Sequence, residues 1–234
     1  MIKAVFFDLD GTLLPMDQEE FIKMYFGSLA KKLIPYGYDK DQLISAVWNG
    51  TKTMMKNDGS CTNEEAFWNS FCSVFGEKAK ADMPLFEDYY KNEFACVKQI
   101  CGSYEKAPDV IKAVKAKGLK AVLATNPLFP KIATQNRIKW AGLKPEDFEL
   151  YTTYEDYSYC KPSLEYYKQI LTKLDLKGEE CVMVGNDVTE DMVTEKLGMK
   201  TFLLTDCIIN RDNKDISVYN HGSFDELIEF INNL

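Results

Sequence analysis

Three short apolar runs divide the chain, and each ends on a polar residue. Ala4-Val5-Phe6-Phe7 runs into Asp8, Ala121-Val122-Leu123-Ala124 into Thr125, and Val182-Met183-Val184 into Gly185-Asn186-Asp187. A continuous apolar run of this kind fits a strand buried on both faces of a parallel sheet. Ligand sites in such sheets lie just beyond the strands' carboxyl ends, where these polar residues fall. Weaker strands are predicted near 149–153 and 201–204. Between and after the runs the period changes to that of a helix. Residues 108–117 place Pro108 in the first turn, Val110, Ile111 and Val114 on one face, and Gly118 as a stop. Further helices are predicted over 130–141, 163–174, 188–197 and 224–231. This alternation predicts an α/β fold, a Rossmann-like, doubly wound parallel sheet.

Residues 17–105 follow a different pattern. Asp17 and Glu20 resemble a capping pair ahead of Phe21, Met24, Tyr25, Leu29 and Leu33 at helical spacing. Leu43, Ile44, Val47, Trp48, Met54 and Met55 suggest a second helix. Thr62 and Glu65 form a capping-box pattern before Phe67, Phe71, Cys72 and Phe75, and Leu85, Phe86, Tyr89, Tyr90 and Phe94 suggest a fourth helix. A stretch this long is no loop, since loops beyond roughly 15 residues are uncommon. It is expected to be an inserted helical subdomain, leaving 1–16 and 106–234 as the sheet-bearing core.

Composition narrows the function. With 234 residues and 46% hydrophobic content the chain has ample material for a core. Lys and Arg number 28 against 36 Asp and Glu, a net charge of -8, which disfavours nucleic acid and anionic membrane as partners. No obligate protein partner is evident. His221 is the only histidine, so histidine-based triads and histidine-rich zinc sites are poorly supported. The only arginines are Arg137 and Arg211, and neither follows a cysteine at the spacing of a cysteine-nucleophile phosphatase loop. The seven scattered cysteines fit reduced thiols better than a disulfide framework. The apolar run at the N-terminus is too short for a signal peptide, and no stretch is long enough to span a membrane. A cytoplasmic chain is expected. His221, between Asn220 and Gly222, is expected in a surface turn.

The residues at the strand ends have ordinary explanations one at a time. Asp8-Leu9-Asp10-Gly11-Thr12 places two carboxylates two residues apart, hence on one side of an extended chain. They could share a pocket and divide nucleophile from acid–base work, or simply form an Asp-Gly turn. Thr125 and Asn126 could donate to a phosphoryl oxygen or cap a helix. Lys161 could neutralise an anion or be solvated. Asp187 and Asp191, one helical turn apart, could act together or cap.

Together, in this order and at these strand ends, they resemble the haloacid dehalogenase superfamily of aspartate-nucleophile phosphotransferases. Asp8-Leu9-Asp10-Gly11-Thr12 is similar to its first motif, Thr125 to its second, Lys161-Pro162 to its third, and Gly185-Asn186-Asp187 with Asp191 to its fourth. The insert matches the family's helical cap by position and helical character. The resemblance implies that Asp8 attacks phosphorus to form an aspartyl-phosphate, and that Asp10 protonates the leaving group and then activates water. It implies Thr125, Asn126 and Lys161 as phosphate-binding residues. It implies a Mg²⁺ cofactor held by the Asp8 carboxylate, the Asp10 backbone carbonyl and the Asp187 carboxylate, with Asp191 behind them orienting a metal water or Lys161. The expected activity is hydrolysis of a small phosphorylated metabolite. Asp10 favours phosphate esters over dehalogenation or phosphonate hydrolysis. A sugar phosphomutase of the same superfamily is the alternative. From a different class, a phospho-aspartate receiver would place its paired acids differently and lack the insert.

Overall fold

The computed structural model describes all 234 residues. The chain opens with strand β1 (Ala4–Phe7) and continues into five helices, α1 (Gln18–Leu33), α2 (Lys40–Met55), α3 (Asn63–Phe75), α4 (Glu77–Ala81) and α5 (Met83–Asn92). It returns through α6 (Ala107–Ala116), β2 (Lys120–Leu123), α7 (Lys131–Trp140), β3 (Leu150–Tyr151) and α8 (Leu164–Leu174). The remaining elements are β4 (Cys181–Gly185), β5 (Lys200–Leu204), β6 (Asn220–Gly222) and α9 (Phe224–Asn232). The six strands form one sheet in the order β3-β2-β1-β4-β5-β6, and every neighbouring pair is parallel.

The apolar runs serve both faces of this sheet because successive side chains on a strand point opposite ways. Val5, Phe7, Val182 and Val184 pack with α6 and α9 residues such as Val110, Ile111 and Leu227. Ala4, Phe6, Val122 and Met183 pack on the other face with Tyr166, Tyr167 and Ile170 of α8. The central strand β1 is therefore buried on both sides, and the backbone just past Phe7 emerges at the middle of the sheet's carboxyl edge.

The inserted helices build a subdomain around aromatic rings. Phe71 lies between Phe67, Phe75 and Phe86, with ring centroids 5.7, 4.9 and 5.3 Å away. The Thr62–Glu65 capping box is present and starts α3. At α1 the capping is one-sided: Asp17 accepts from the N–H groups of Glu19 and Glu20, and Glu20 returns no bond to it. The two connections to the core run side by side, tied by the Gly102 N–H donating to the Pro15 carbonyl at 2.7 Å.

Two expectations need correcting. The helix expected over 188–197 is a turn followed by a 3-10 helix, Met192–Leu197. Asp187 accepts from the N–H groups of Thr189 and Glu190, and the Asp191 carboxylate folds back onto the Asp187 N–H, which draws this segment into a tight turn. His221 lies not in a turn but in edge strand β6, paired with Leu203, with its side chain exposed. A three-residue strand at a sheet edge is too short for its periodicity to show.

Candidate active site

The polar residues that follow β1, β2 and β4 meet at the carboxyl edge of the sheet. Asp8, Asp10, Thr125, Asn126 and Asp187 line a cavity of about 70 Å³ with no hydrophobic residue in its wall. Lys161 enters from the segment before α8. It is 2% exposed, and its Nζ lies 2.7 Å from both Asp8 Oδ1 and Asp191 Oδ1. All six expected site residues are thus brought together, along with Asp191.

Local structure explains each placement. The Asp8 N–H still donates to the Val184 carbonyl, so Asp8 is held as if it extended β1. Gly11 then takes a φ of +88°, which only glycine adopts freely, and a Cβ there would run into the Asn186 side chain. Thr12 turns back, its hydroxyl facing Asp8 Oδ2 at 3.2 Å and Asn186 Oδ1 at 3.0 Å. The Thr125 carbonyl accepts from the hydroxyls of Thr152 (2.5 Å) and Tyr166 (2.8 Å), which anchors the end of β2. Asn126 is already engaged: its amide donates to Glu190 Oε2 at 3.2 Å and its Oδ1 accepts from the Lys161 N–H. Gly185 leaves room for the Asp191 carboxylate, with which a Cβ would collide.

A family model for haloacid dehalogenase-like hydrolases matches residues 2–194. The chain belongs to that family. Among its relatives is a glyceraldehyde 3-phosphate phosphatase from Methanocaldococcus jannaschii, 27% identical over 100% of this chain and 99% of the relative. The pyrophosphatase PpaX of Halalkalibacterium halodurans is 23% identical, covering 90% of this chain and 87% of that one. The crystal structure of a HAD phosphatase from Thermococcus onnurineus aligns with a TM-score of 0.59 at 21% identity, over 98% of either chain.

In this haloacid dehalogenase-like hydrolase, the Lys161 ammonium sits between two carboxylates, those of Asp8 and Asp191. Burial by itself would lower the Lys161 pKa, but Asp191 and Asp8 outweigh it and hold the ammonium charged. Asp10 is pushed up by burial, with the Arg137 charge opposing. Its Oδ2 pairs with Arg137 Nη1, and its buried Oδ1 has no hydrogen-bond partner. Glu190 is pushed up to about 7, chiefly by burial.

Arg137, Glu190 and Arg211 are site residues that sequence reasoning passed over. Arg137 projects from α7, is 1% exposed, and lays its guanidinium over the Phe129 ring at 4.5 Å. Its signal was present: with Ala133, Thr134 and Ile138 it falls on the buried side of α7, where a charge needs a reason. Arg211 Nη1 lies 3.0 Å from Asp187 Oδ2 although the Arg211 side chain is 65% exposed. Nothing local in the sequence points to that contact.

The same residues suit a hard divalent cation. No three carboxylate, imidazole or thiol side chains form a metal cluster by themselves. The Asp8 and Asp187 carboxylates, with the Asp10 backbone carbonyl between them in the chain, offer a set made only of oxygens. Such a set, completed by water and phosphate, matches Mg²⁺ rather than zinc. The exposed Arg211 side chain occupies one Asp187 oxygen.

Proposed function

We propose that this hydrolase is a Mg²⁺-dependent phosphatase that cleaves a small phosphorylated metabolite through an aspartyl-phosphate on Asp8. The observation that carries this reading is the pairing of Lys161 with Asp8 at 2.7 Å beside Asp10, Thr125 and Asp187 in one polar cavity. An anionic nucleophile approaching a phosphoryl group needs its repulsion offset, and the buried Lys161 ammonium is placed to do that.

An Asp8 carboxylate oxygen attacks phosphorus while the bond from phosphorus to the leaving oxygen breaks. Asp10 delivers a proton to that oxygen, then takes one from the water that attacks the aspartyl-phosphate, freeing Asp8 and inorganic phosphate. Thr125 and Asn126 orient the phosphoryl oxygens, and Asp191 holds Lys161 in place. Asp8, Asp187 and the Asp10 carbonyl would hold Mg²⁺, which would supply charge neutralisation at the phosphoryl group.

We assign 1–16 and 106–234 to the catalytic core and 17–105 to a cap that covers it. The names of the relatives, a glyceraldehyde 3-phosphate phosphatase and a pyrophosphatase, support phosphate chemistry and differ in substrate. The test is phosphate release by the purified protein from a panel of sugar phosphates, nucleotides, pyrophosphate and an aryl phosphate, with and without Mg²⁺. Release that needs Mg²⁺ is expected. No release from any compound would sink the reading, and phosphoryl migration on a sugar phosphate outpacing release would replace it with a mutase.

A further inference from the structure

A second cavity, of about 180 Å³, lies where the inserted helices meet the core. Helices α1, α2, α3 and α5 wall one side, and the core residues Leu128 to Pro130, Ile132 and Tyr154 wall the other. It shares no residue with the polar cavity around Asp8. Half of its eighteen lining residues are aromatic, including Tyr25, Phe26, Trp48, Phe67, Trp68 and Tyr154.

The only charged residues in the lining are acidic, Glu64 and Glu87. Glu87 is exposed and pairs with Lys91 at 3.4 Å. Glu64 is half-buried, and the charges acting on it are those of Glu155, Glu65 and Glu87, all negative. Burial and these neighbours push its carboxyl up, against a hydrogen bond from Tyr154 that favours the ionised form. The Arg137 guanidinium, which lies on the lining ring of Phe129, is itself paired with Asp10. Aromatic faces are also negative, since the ring quadrupole places electron density above the plane. Rings and carboxylate therefore favour the same kind of ligand. A small inorganic cation would keep its water and gain little from apolar walls, whereas an alkylammonium group presents a weakly hydrated charge with an apolar surface.

We propose that this cavity is a binding site for an organic cation of the alkylammonium class, with the aromatic wall giving cation–π contact and Glu64 the counter-charge. This goes beyond the phosphatase reading and does not depend on it. An occupant would touch the inserted helices and the core together.

Choline and its uncharged carbon isostere, with a tert-butyl group in place of trimethylammonium, provide the test. Their binding to the intact protein is measured by titration calorimetry and by fluorescence of Trp48 and Trp68. Choline is expected to bind at least about tenfold more tightly, the scale of a desolvated cation–π contact. Glu64→Gln should reduce that preference to the part the rings supply, while leaving the isostere's affinity unchanged. Thr51→Trp, which pushes an indole into the cavity, should block both compounds in a variant with wild-type circular dichroism. Equal binding of the two compounds, no binding of either, or full choline binding by folded Thr51→Trp overturns the proposal. The first comparison uses the unmodified protein, so misfolding of a variant cannot decide it.

Discussion

Arg137 and Asp10 form an ion pair inside the protein, the guanidinium on α7 clasping a carboxylate that follows β1. The Arg137 side chain is 1% exposed and the Asp10 side chain 22%. Phe129 supports the guanidinium face and Thr134 Oγ1 accepts from Nη2 at 3.3 Å, so Arg137 has little freedom to leave. Its effect is to aim Asp10, the proposed acid and base, into the polar cavity.

Removing one partner of a buried pair leaves the other charge uncompensated, a loss of about 3–5 kcal/mol. Asp10 keeps some solvent, so Arg137→Ala should cost toward the low end of that range in urea denaturation. Adding Asp10→Asn to Arg137→Ala should recover part of the loss, because no buried charge remains to be matched. Arg137→Lys should keep more stability than Arg137→Ala yet turn over slowly, since an ammonium cannot reproduce the planar guanidinium's fit. Equal stability of Arg137→Ala and the parent protein would show that the pair contributes nothing.

The two aspartates of the first motif should fail differently. Asp8→Asn should abolish any phosphoenzyme, because an amide is a very poor nucleophile. Asp10→Asn should slow turnover by roughly 10²–10⁴-fold, the usual contribution of a general acid–base group, and let the covalent intermediate build up with an activated leaving group. Mass spectrometry of the intact protein after acid quench distinguishes them. Near-normal activity in Asp8→Asn contradicts the nucleophile assignment.

Asp187→Ala should depress all substrates together and raise the Mg²⁺ concentration needed for half-maximal activity. Arg211→Ala should move that concentration the other way, because Arg211 competes for Asp187 Oδ2 at 3.0 Å. Mg²⁺ titrations of both variants check this. Unchanged metal dependence in Asp187→Ala places the metal elsewhere.

Glu190 predicts a pH effect on stability without metal. Its carboxyl is pushed up from 4.5 to about 7 by burial, so the folded state binds a proton that the unfolded state has released. A raised acid pKa makes folding less favourable as pH climbs through that window, by up to roughly 3 kcal/mol above it. Glu190→Gln, which cannot ionise, should therefore match the parent near pH 4 and be more stable near pH 8. Chemical denaturation in the presence of a chelator measures the difference, and a constant gap between the two proteins across this range would refute the assignment.

Much of the core could be read along the chain. Ala4–Phe7, 121–124 and 182–184 show as strands because burial on both faces requires unbroken apolar runs, and their polar ends mark the site. The capping box at Thr62 and Glu65 is local chemistry and is present as written. Strand β6 around His221 is too short to leave a pattern, and its pairing comes from the neighbouring β5. The segment after Asp187 has helical spacing, but carboxylate contacts from Asp187 and Asp191 bend it into a turn.

Charge partners divide in the same way. Asp8 and Asp10 are neighbours by covalent connection, so two-residue spacing suffices to bring them to one pocket. Lys161 is 153 residues from Asp8, and Arg137 is 127 from Asp10. Contacts across such separations depend on how β1, α7 and the segment before α8 are stacked. Propensity and periodicity describe which face of an element is buried; they carry no information on which distant side chain fills the space opposite. That matching arises only when the sheet closes its layers, and it is what turns Arg137 from a helix residue into the partner of Asp10.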